Sequence, residues 1–292
     1  MKGSNGKMKI INDVKFLIVG LGLIGGSYAQ ALTDLGYEVG AITRSQSSID
    51  YAKEKGLIAH GTTEVSEEYV KQFDIVVFAL YPRVLIKWLD QYQSYFKSGA
   101  LITDVTGVKG PVVYKIQDML RDDVEFVGAH PMAGKEVYGV QNADKSIFKN
   151  ANYIVTPTEK NTKAGIETCA QLGKVLGFKT IAELSPEKHD EMIGFLSQLT
   201  HCIAVSLMTC KESEDLVNYT GDSFRDLTRI AKINEDMWCE LFLLNKDELL
   251  SQMDLFIEKF KELRDGIESE DTEKIKSIMR TSTKRRMYFD KK

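Results

Sequence analysis

The sequence predicts an α/β protein in two parts, a doubly wound sheet over residues 1–184 followed by an all-helical unit over 185–292. Three observations predict it. The run Val14 to Ser27, VKFLIVGLGLIGGS, is an apolar strand that breaks into a glycine turn and then a helix. Strand and helix patterns alternate through the first half, as a mostly parallel sheet requires. From Ser185 onward only helical periodicity is left. At 292 residues the chain is also long enough for two cores, because single cores stop growing near ~250–300 residues.

In the first run Gly20, Gly22 and Gly25 fit G-x-G-x-x-G, which makes the sheet unit Rossmann-type. The first glycine permits the tight turn, the second lets a pyrophosphate touch bare backbone, and the third lets helix pack on strand. A dinucleotide's phosphates would then meet the helix start, around Leu23 and Ile24, where free N–H groups and the helix dipole attract anions. Tyr28 to Leu35 continues with helical spacing and Gly36 closes it. The second strand, Val39 to Ile42, runs into Thr43, Arg44 and Ser45, where a dinucleotide-binding sheet that takes NAD carries a carboxylate for the ribose. A guanidinium and two hydroxyls there suit a 2′-phosphate, so the reading favours NADP. NAD stays open, since Arg44 stacked on adenine would tolerate both.

Next come a helix at Ile49 to Lys55, a strand at Ile75 to Leu80 whose last residue is assigned to the cofactor site, and a helix at Arg83 to Phe96. Ala100 to Val105, Val112 to Leu120 and Phe126 to Ala129 add strand, helix and strand. Strands at Tyr153 to Val155 and near Thr180, separated by the amphipathic Lys163 to Leu176, extend the same parallel sheet. Ser185 followed by Pro186 reads as an N-cap with proline in the first turn. Met192 to Met208 is almost continuously apolar and is expected to be buried on most sides. Asp236 to Leu263 is expected as one long helix, with Met237, Leu241, Leu244, Leu249, Met253, Phe256 and Phe260 in a stripe. So small a unit cannot cover that stripe itself, and a second copy of the chain is the simplest cover. The helical unit is therefore expected to be a dimerisation domain, with a monomeric bundle as the alternative.

Apolar residues make up 43% and charged residues 27%, which is ordinary for a globular chain. Net charge is −4 without a basic stripe, so a nucleic-acid partner is not expected. Cys169, Cys202, Cys210 and Cys239 lack C-x-x-C or metal-ligand spacing, so neither metal nor disulfide is implied. The N-terminus has no apolar leader core, and the count of consecutive apolar residues never reaches the ~18 of a membrane span. A cytoplasmic protein without membrane partners is the expectation.

HPMAG at His130 to Gly134 with its continuation KEVYGV, the glycine loop, DVTGVKG at Asp104 to Gly110, SPEKHDEM and DLTRIAK together resemble the prephenate/arogenate dehydrogenase family of tyrosine biosynthesis. The resemblance covers nearly the whole chain. It implies oxidative decarboxylation of prephenate or arogenate, with hydride passing to a nicotinamide. By the same resemblance His130 is the base at the substrate's 4-hydroxyl, and Arg229 binds the ring carboxylate. A neutral imidazole and a permanent bidentate cation are the groups such chemistry needs.

His201 matches a histidine lining the substrate pocket, and Glu136 and Asp226 match acidic positions that orient the arginine and gate the pocket. Where many relatives have a serine after the fifth strand this chain has Gly107, so either Thr106 supplies the hydroxyl, touching both cofactor and substrate, or water does. Lys135 is expected near the substrate's side arm, where a cation would repel arogenate and favour prephenate. His189 and Asp190 read as structural joints at the domain junction. Two rival readings remain: a β-hydroxyacid dehydrogenase or imine reductase, and a catalytically silent NADP sensor. The first would want a lysine between Met192 and Met208, which is absent, and the second has no use for a base.

Overall fold

The computed structural model describes residues 14–212 and 214–290. Its first part runs β1 (Lys15–Val19), α1 (Leu23–Asp34), β2 (Glu38–Ile42), α2 (Gln46–Glu54), β3 (His60–Thr62), α3 (Glu67–Val70), β4 (Ile75–Phe78) and α4 (Pro82–Tyr92). It continues with β5 (Leu101–Asp104), α5 (Gly110–Met119), β6 (Glu125–Pro131), β7 (Asn152–Thr156), α6 (Lys163–Val175) and β8 (Thr180–Glu183). The eight strands form one sheet in the order β3-β2-β1-β4-β5-β6-β7-β8. The order reverses between β1 and β4, and the crevice at such a switch point is where open α/β sheets bind ligands.

Successive strand residues serve opposite cores. Ile18 and Val77 pack with Tyr28, Leu32, Tyr153 and Leu172 on one face, while Leu17, Val76 and Phe78 pack with Leu85, Leu89 and Ile116 on the other. Burial on both faces explains why these strands are apolar throughout and do not alternate.

The sheet departs from the expected parallel arrangement at one place. β7 runs antiparallel to β6, with His130 opposite Ile154 and Pro131 opposite Tyr153, whereas β8 is again parallel to β7. β5 pairs with β6 only as far as Val127. The β7 ladder therefore carries β6 two residues past its expected end at Ala129, and His130 lies inside the strand, opposite Ile154.

The helical part comprises α7 (Pro186–Ile193), a π-helical stretch at Gly194–Leu199, α8 (Thr200–Thr209), α9 (Asp222–Thr228), α10 (Glu235–Leu244), α11 (Lys246–Glu268) and α12 (Thr272–Arg286). Ser185 caps α7 by accepting from the Lys188 N–H at 3.2 Å, with Pro186 in the first turn, as its sequence requires. Two expectations are corrected here. The long helix is broken at Asn245, whose buried amide donates to the Asp190 carbonyl at 2.9 Å and to Gln198 Oε1 at 2.7 Å. Asparagine competes with helical backbone through such bonds, so the stripe is split between α10 and α11.

The apolar run at Met192 to Met208 is also less buried than expected, with Phe195 50% exposed and Leu196 51%. Counting consecutive apolar residues also understated this segment. The continuous helical run Pro186–Thr209 is 24 residues long and holds an 18-residue window with a mean hydropathy of 1.4, enough to cross a membrane by length and composition. Its polar Gln198 is buried and donates to the Leu241 carbonyl at 3.1 Å, which ties this face to α10. Leu241 in turn enters the core between α4 and α5, docking the helical part on the sheet.

Candidate active site

The glycine turn has the geometry a dinucleotide needs. Gly20 sits at φ +101°, and a Cβ there would lie 2.4 Å from the Ala79 carbonyl oxygen and 2.9 Å from Leu80 Cδ2. A Cβ on Gly25 would lie 1.9 Å from the Gly20 oxygen. At Gly22 it would meet nothing within 4 Å, which leaves the space over the start of α1 open. Gly22 caps α1 without any side-chain hydrogen bond, so the amides at Leu23 and Ile24 face that space uncapped by the protein. These residues fit a pyrophosphate. At the end of β2, Arg44 is exposed and forms no ion pair among the described residues. Thr43 donates its N–H to Thr62, and Ser45 caps α2 by accepting from Ser48 N–H at 3.2 Å. Ser45 thus has a structural duty that its expected cofactor role did not foresee.

Across the crevice, His130 is held from both sides. On β5, Asp104 accepts the Ala129 N–H at 3.1 Å through one carboxylate oxygen. Lys109 Nζ donates to the other oxygen at 2.6 Å, to Thr106 Oγ1 at 3.2 Å and to the Ala129 carbonyl at 2.5 Å. Both ion-pair side chains are fully buried, and all three ammonium protons are used. Burial pushes the Lys109 amine down while the charge of Asp104 pulls it up. Thr106 is corrected here: its buried hydroxyl bonds Asp104 and accepts from Lys109, so it braces the ion pair and does not face the histidine. Gly107 is the residue beside the base, because a Cβ there would lie 3.8 Å from His130 Nε2.

His130 Nδ1 lies 2.9 Å from His189 Nε2, and His189 Nδ1 lies 2.7 Å from Asp190 Oδ1. Burial, then the neighbouring His189 and Lys109, hold the His130 imidazole well below its usual range, so it is neutral at physiological pH. Its Nε2 makes no hydrogen bond among the described residues.

The opposite wall comes from the helical part. Arg229 forms an ion pair with Glu136, in the loop that leaves β6. The arginine side chain is 64% exposed, so the pair is weak and readily exchanged for another carboxylate. His201 on α8 donates its Nδ1–H to the Ser197 carbonyl, 2.8 Å away, since a carbonyl can only accept. Its ring lies on Trp238, with centroids 3.7 Å apart, and Glu136 and Arg229 are both close enough to act on its charge. Burial lowers its pKa. The structure thus brings His201, Glu136 and Arg229 together.

It does not bring in two others. Lys135 pairs with Asp144 at 2.9 Å on the surface. Asp226 is exposed on α9 and makes no ion pair among the described residues. Sequence reasoning missed Asp104, Lys109, His189 and Asp190 as a connected set, and missed Trp238. The signal available was two charged runs, DVTGVKG and SPEKHDEM, in which Asp104, Lys109, His189 and Asp190 are buried while Glu187 and Lys188 are exposed.

A dinucleotide cradle after β1 and a neutral imidazole near the end of β6 of the same sheet define the class: an oxidoreductase that moves hydride to a nicotinamide. Comparison narrows it. Residues 28–182 match the model of the prephenate dehydrogenase nucleotide-binding domain, and residues 185–281 match that of the prephenate dehydrogenase dimerization domain. Prephenate dehydrogenase of Bacillus subtilis is 32% identical over 281 residues, which span 93% of this chain and 76% of that one. Cyclohexadienyl dehydrogenase of Zymomonas mobilis is 28% identical over 277 residues, 92% of this chain and 94% of the relative. Prephenate dehydrogenase of A. aeolicus, solved with hydroxyphenyl propionate and NAD+, superposes with a TM-score of 0.87 at 30% identity, covering 96% of this chain and 99% of that one. The chain belongs to the prephenate dehydrogenase family and is an NAD(P)-dependent oxidoreductase. The β-hydroxyacid dehydrogenase and sensor readings are set aside by that membership.

Proposed function

We propose that the chain converts prephenate to 4-hydroxyphenylpyruvate and carbon dioxide, with His130 as the base and Arg229 as the cation for the ring carboxylate. One observation carries this: a neutral imidazole with Nδ1 tied back and Nε2 bare beside the space that Gly107 leaves open. Bound, the nicotinamide supplies the acceptor for the hydride from C4. The substrate's 4-hydroxyl gives its proton to His130 Nε2, which prevents positive charge from building at C4 as the hydride leaves. Arg229 exchanges Glu136 for the substrate carboxylate, and His201 with Trp238 forms the apolar-faced wall against the ring. The opposite carboxylate leaves as carbon dioxide, its bonding electrons make the ring aromatic, which drives the reaction, and the 4-oxygen takes a proton back from His130.

Prephenate is favoured over arogenate because the Bacillus subtilis and Lactococcus lactis relatives carry that activity in their names. Lys135 supplies no reason either way. NADP is the proposed cofactor, with Arg44 on the 2′-phosphate and no carboxylate among residues 43–45; the A. aeolicus relative holds NAD+. The partner is a second copy of the chain. Its supports are the dimerization-domain match and the open apolar face of α11, where Ile257 is 59% and Phe260 63% exposed. A cytoplasmic setting fits four cysteines that are all free thiols.

The test is a matrix of initial rates at 340 nm with prephenate or arogenate against NADP or NAD. His130→Asn should keep cofactor affinity and lose roughly 10²- to 10⁴-fold in turnover. No reduction with any pair, or full turnover by the variant, refutes the proposal.

A further inference from the structure

His189 and Asp190 stand at the start of the helical part, yet they touch the base. Asp190 is a carboxylate that can only accept, so the proton between it and His189 sits on His189 Nδ1, across 2.7 Å. His189 Nε2 is then bare and can only accept from His130, whose proton must sit on Nδ1, across 2.9 Å. That order leaves His130 Nε2 without a proton, which is the form a base needs.

The same carboxylate is anchored independently. Asp190 accepts the Lys109 N–H at 2.8 Å through Oδ1 and the Gly110 N–H at 2.8 Å through Oδ2, at the first turn of α5. His189 is fully buried and Asp190 nearly so, which leaves no water to replace these contacts.

From the directions of these bonds we propose that His189 and Asp190 are positioning residues: they fix the Nδ1–H tautomer of His130 and share the proton it receives. This rests on the reading of His130 as the base. The charged and titratable groups facing His189 are Asp190 on α7, His130 on β6, Lys109 at the start of α5 and Asp104 on β5. Lys109 is matched by Asp104, so with both imidazoles neutral the set keeps the one negative charge of Asp190. Arrival of a proton neutralises that charge. In the step itself the substrate O–H bond breaks and an Nε2–H bond forms on His130. The Nδ1 proton of His130 then passes to His189 Nε2, leaving His189 as an imidazolium against Asp190.

The test uses the full chain and the variants His189→Gln and His189→Leu. The sequence has only four histidines, so their ring nitrogens can be assigned by ¹⁵N NMR. The Nδ1–H form of His130 is expected in the parent and in His189→Gln, whose amide oxygen still accepts. In His189→Leu the Nε2–H form should appear, and kcat should fall ~10- to 100-fold with KM for substrate and cofactor within about twofold. The Gln variant should recover most of that loss. An Nε2–H tautomer in the parent overturns the proposal, as does an unchanged tautomer and kcat in His189→Leu. So does a loss that appears equally in kcat and in cofactor affinity, which marks a clamp between α7 and α5 only. The NMR result does not depend on which substrate is turned over, so it separates failure of this inference from failure of the prephenate assignment.

Discussion

Replacing Lys109 with methionine tests the interior that holds the base in place. Methionine keeps the length of the stem and removes the ammonium, which strips Asp104 and the Ala129 carbonyl of donors at 2.6 and 2.5 Å. Both charged side chains are fully buried, so the remaining carboxylate has no water to turn to. Breaking a buried pair by deleting one partner costs about 3–5 kcal/mol. Against a total of about 5–15 kcal/mol for a folded domain, that is roughly a fifth or more of the stability. At about 2–4 °C per kcal/mol for a domain of this size, Tm should fall by roughly 6–20 °C. Urea unfolding followed by circular dichroism, with calorimetry for Tm, measures it. Adding Asp104→Asn removes the orphaned charge, and the double variant should be more stable than Lys109→Met alone. A loss below about 1 kcal/mol, or a double variant no better than the sum of its parts, would show that this ion pair does not brace the strand.

The glycine turn separates two effects. Gly25→Ala drives a Cβ into the Gly20 carbonyl and should cost about 1–3 kcal/mol in unfolding experiments, whereas Gly22→Ala, with open space, should leave Tm alone and weaken NAD(P) binding in a fluorescence titration. The opposite pattern would place the pyrophosphate elsewhere. Arg44→Ala should weaken NADP roughly tenfold more than NAD, and equal losses would mean that Arg44 does not read the 2′-phosphate. Burial lowers the pKa of His130, His189 and His201 below 6.5, so the unfolded chain binds more protons than the native one in that window. Their contribution to stability is present above that value and lost as pH falls; Tm that stays level from pH 7 to 5 would contradict their being buried as neutral groups.

What could be read from the residues was what is local. The glycine turn, the cap at Ser185 and Pro186, and His130 before Pro131 each depend on neighbours within a few positions. What escaped depends on pairing over distance. The β6–β7 ladder joins residues more than twenty positions apart, and no periodicity distinguishes an antiparallel edge from a parallel one. His189 meets His130 across 59 positions, and both its own helix and that ladder must form before the rings touch. Asn245 read as one more polar position in an amphipathic pattern, because its partners Asp190 and Gln198 lie 55 and 47 residues away. Thr106 was given the right neighbourhood and the wrong direction, since a β-strand end shows two faces and only the buried Asp104–Lys109 pair decides which one the hydroxyl joins.

The stretch between β6 and β7 is laid as a strap across α1. Ser27 Oγ accepts the Asp144 N–H at 2.9 Å, Gln30 Oε1 accepts that of Lys145 at 2.8 Å, and a Cβ on Gly26 would fall 2.8 Å from Ala143 Cβ. This strap begins with Glu136, the counter-ion of Arg229, and ends on the helix whose first turn faces the phosphate space. Any effect of a nucleotide at α1 on the freeing of Arg229 from Glu136 must be matched by an equal effect in the other direction, since linkage between two binding sites is reciprocal. The nucleotide cradle and the arginine's counter-ion thus sit at two ends of one segment, joined to α1 by two hydrogen bonds and the packing of Ala143 on Gly26.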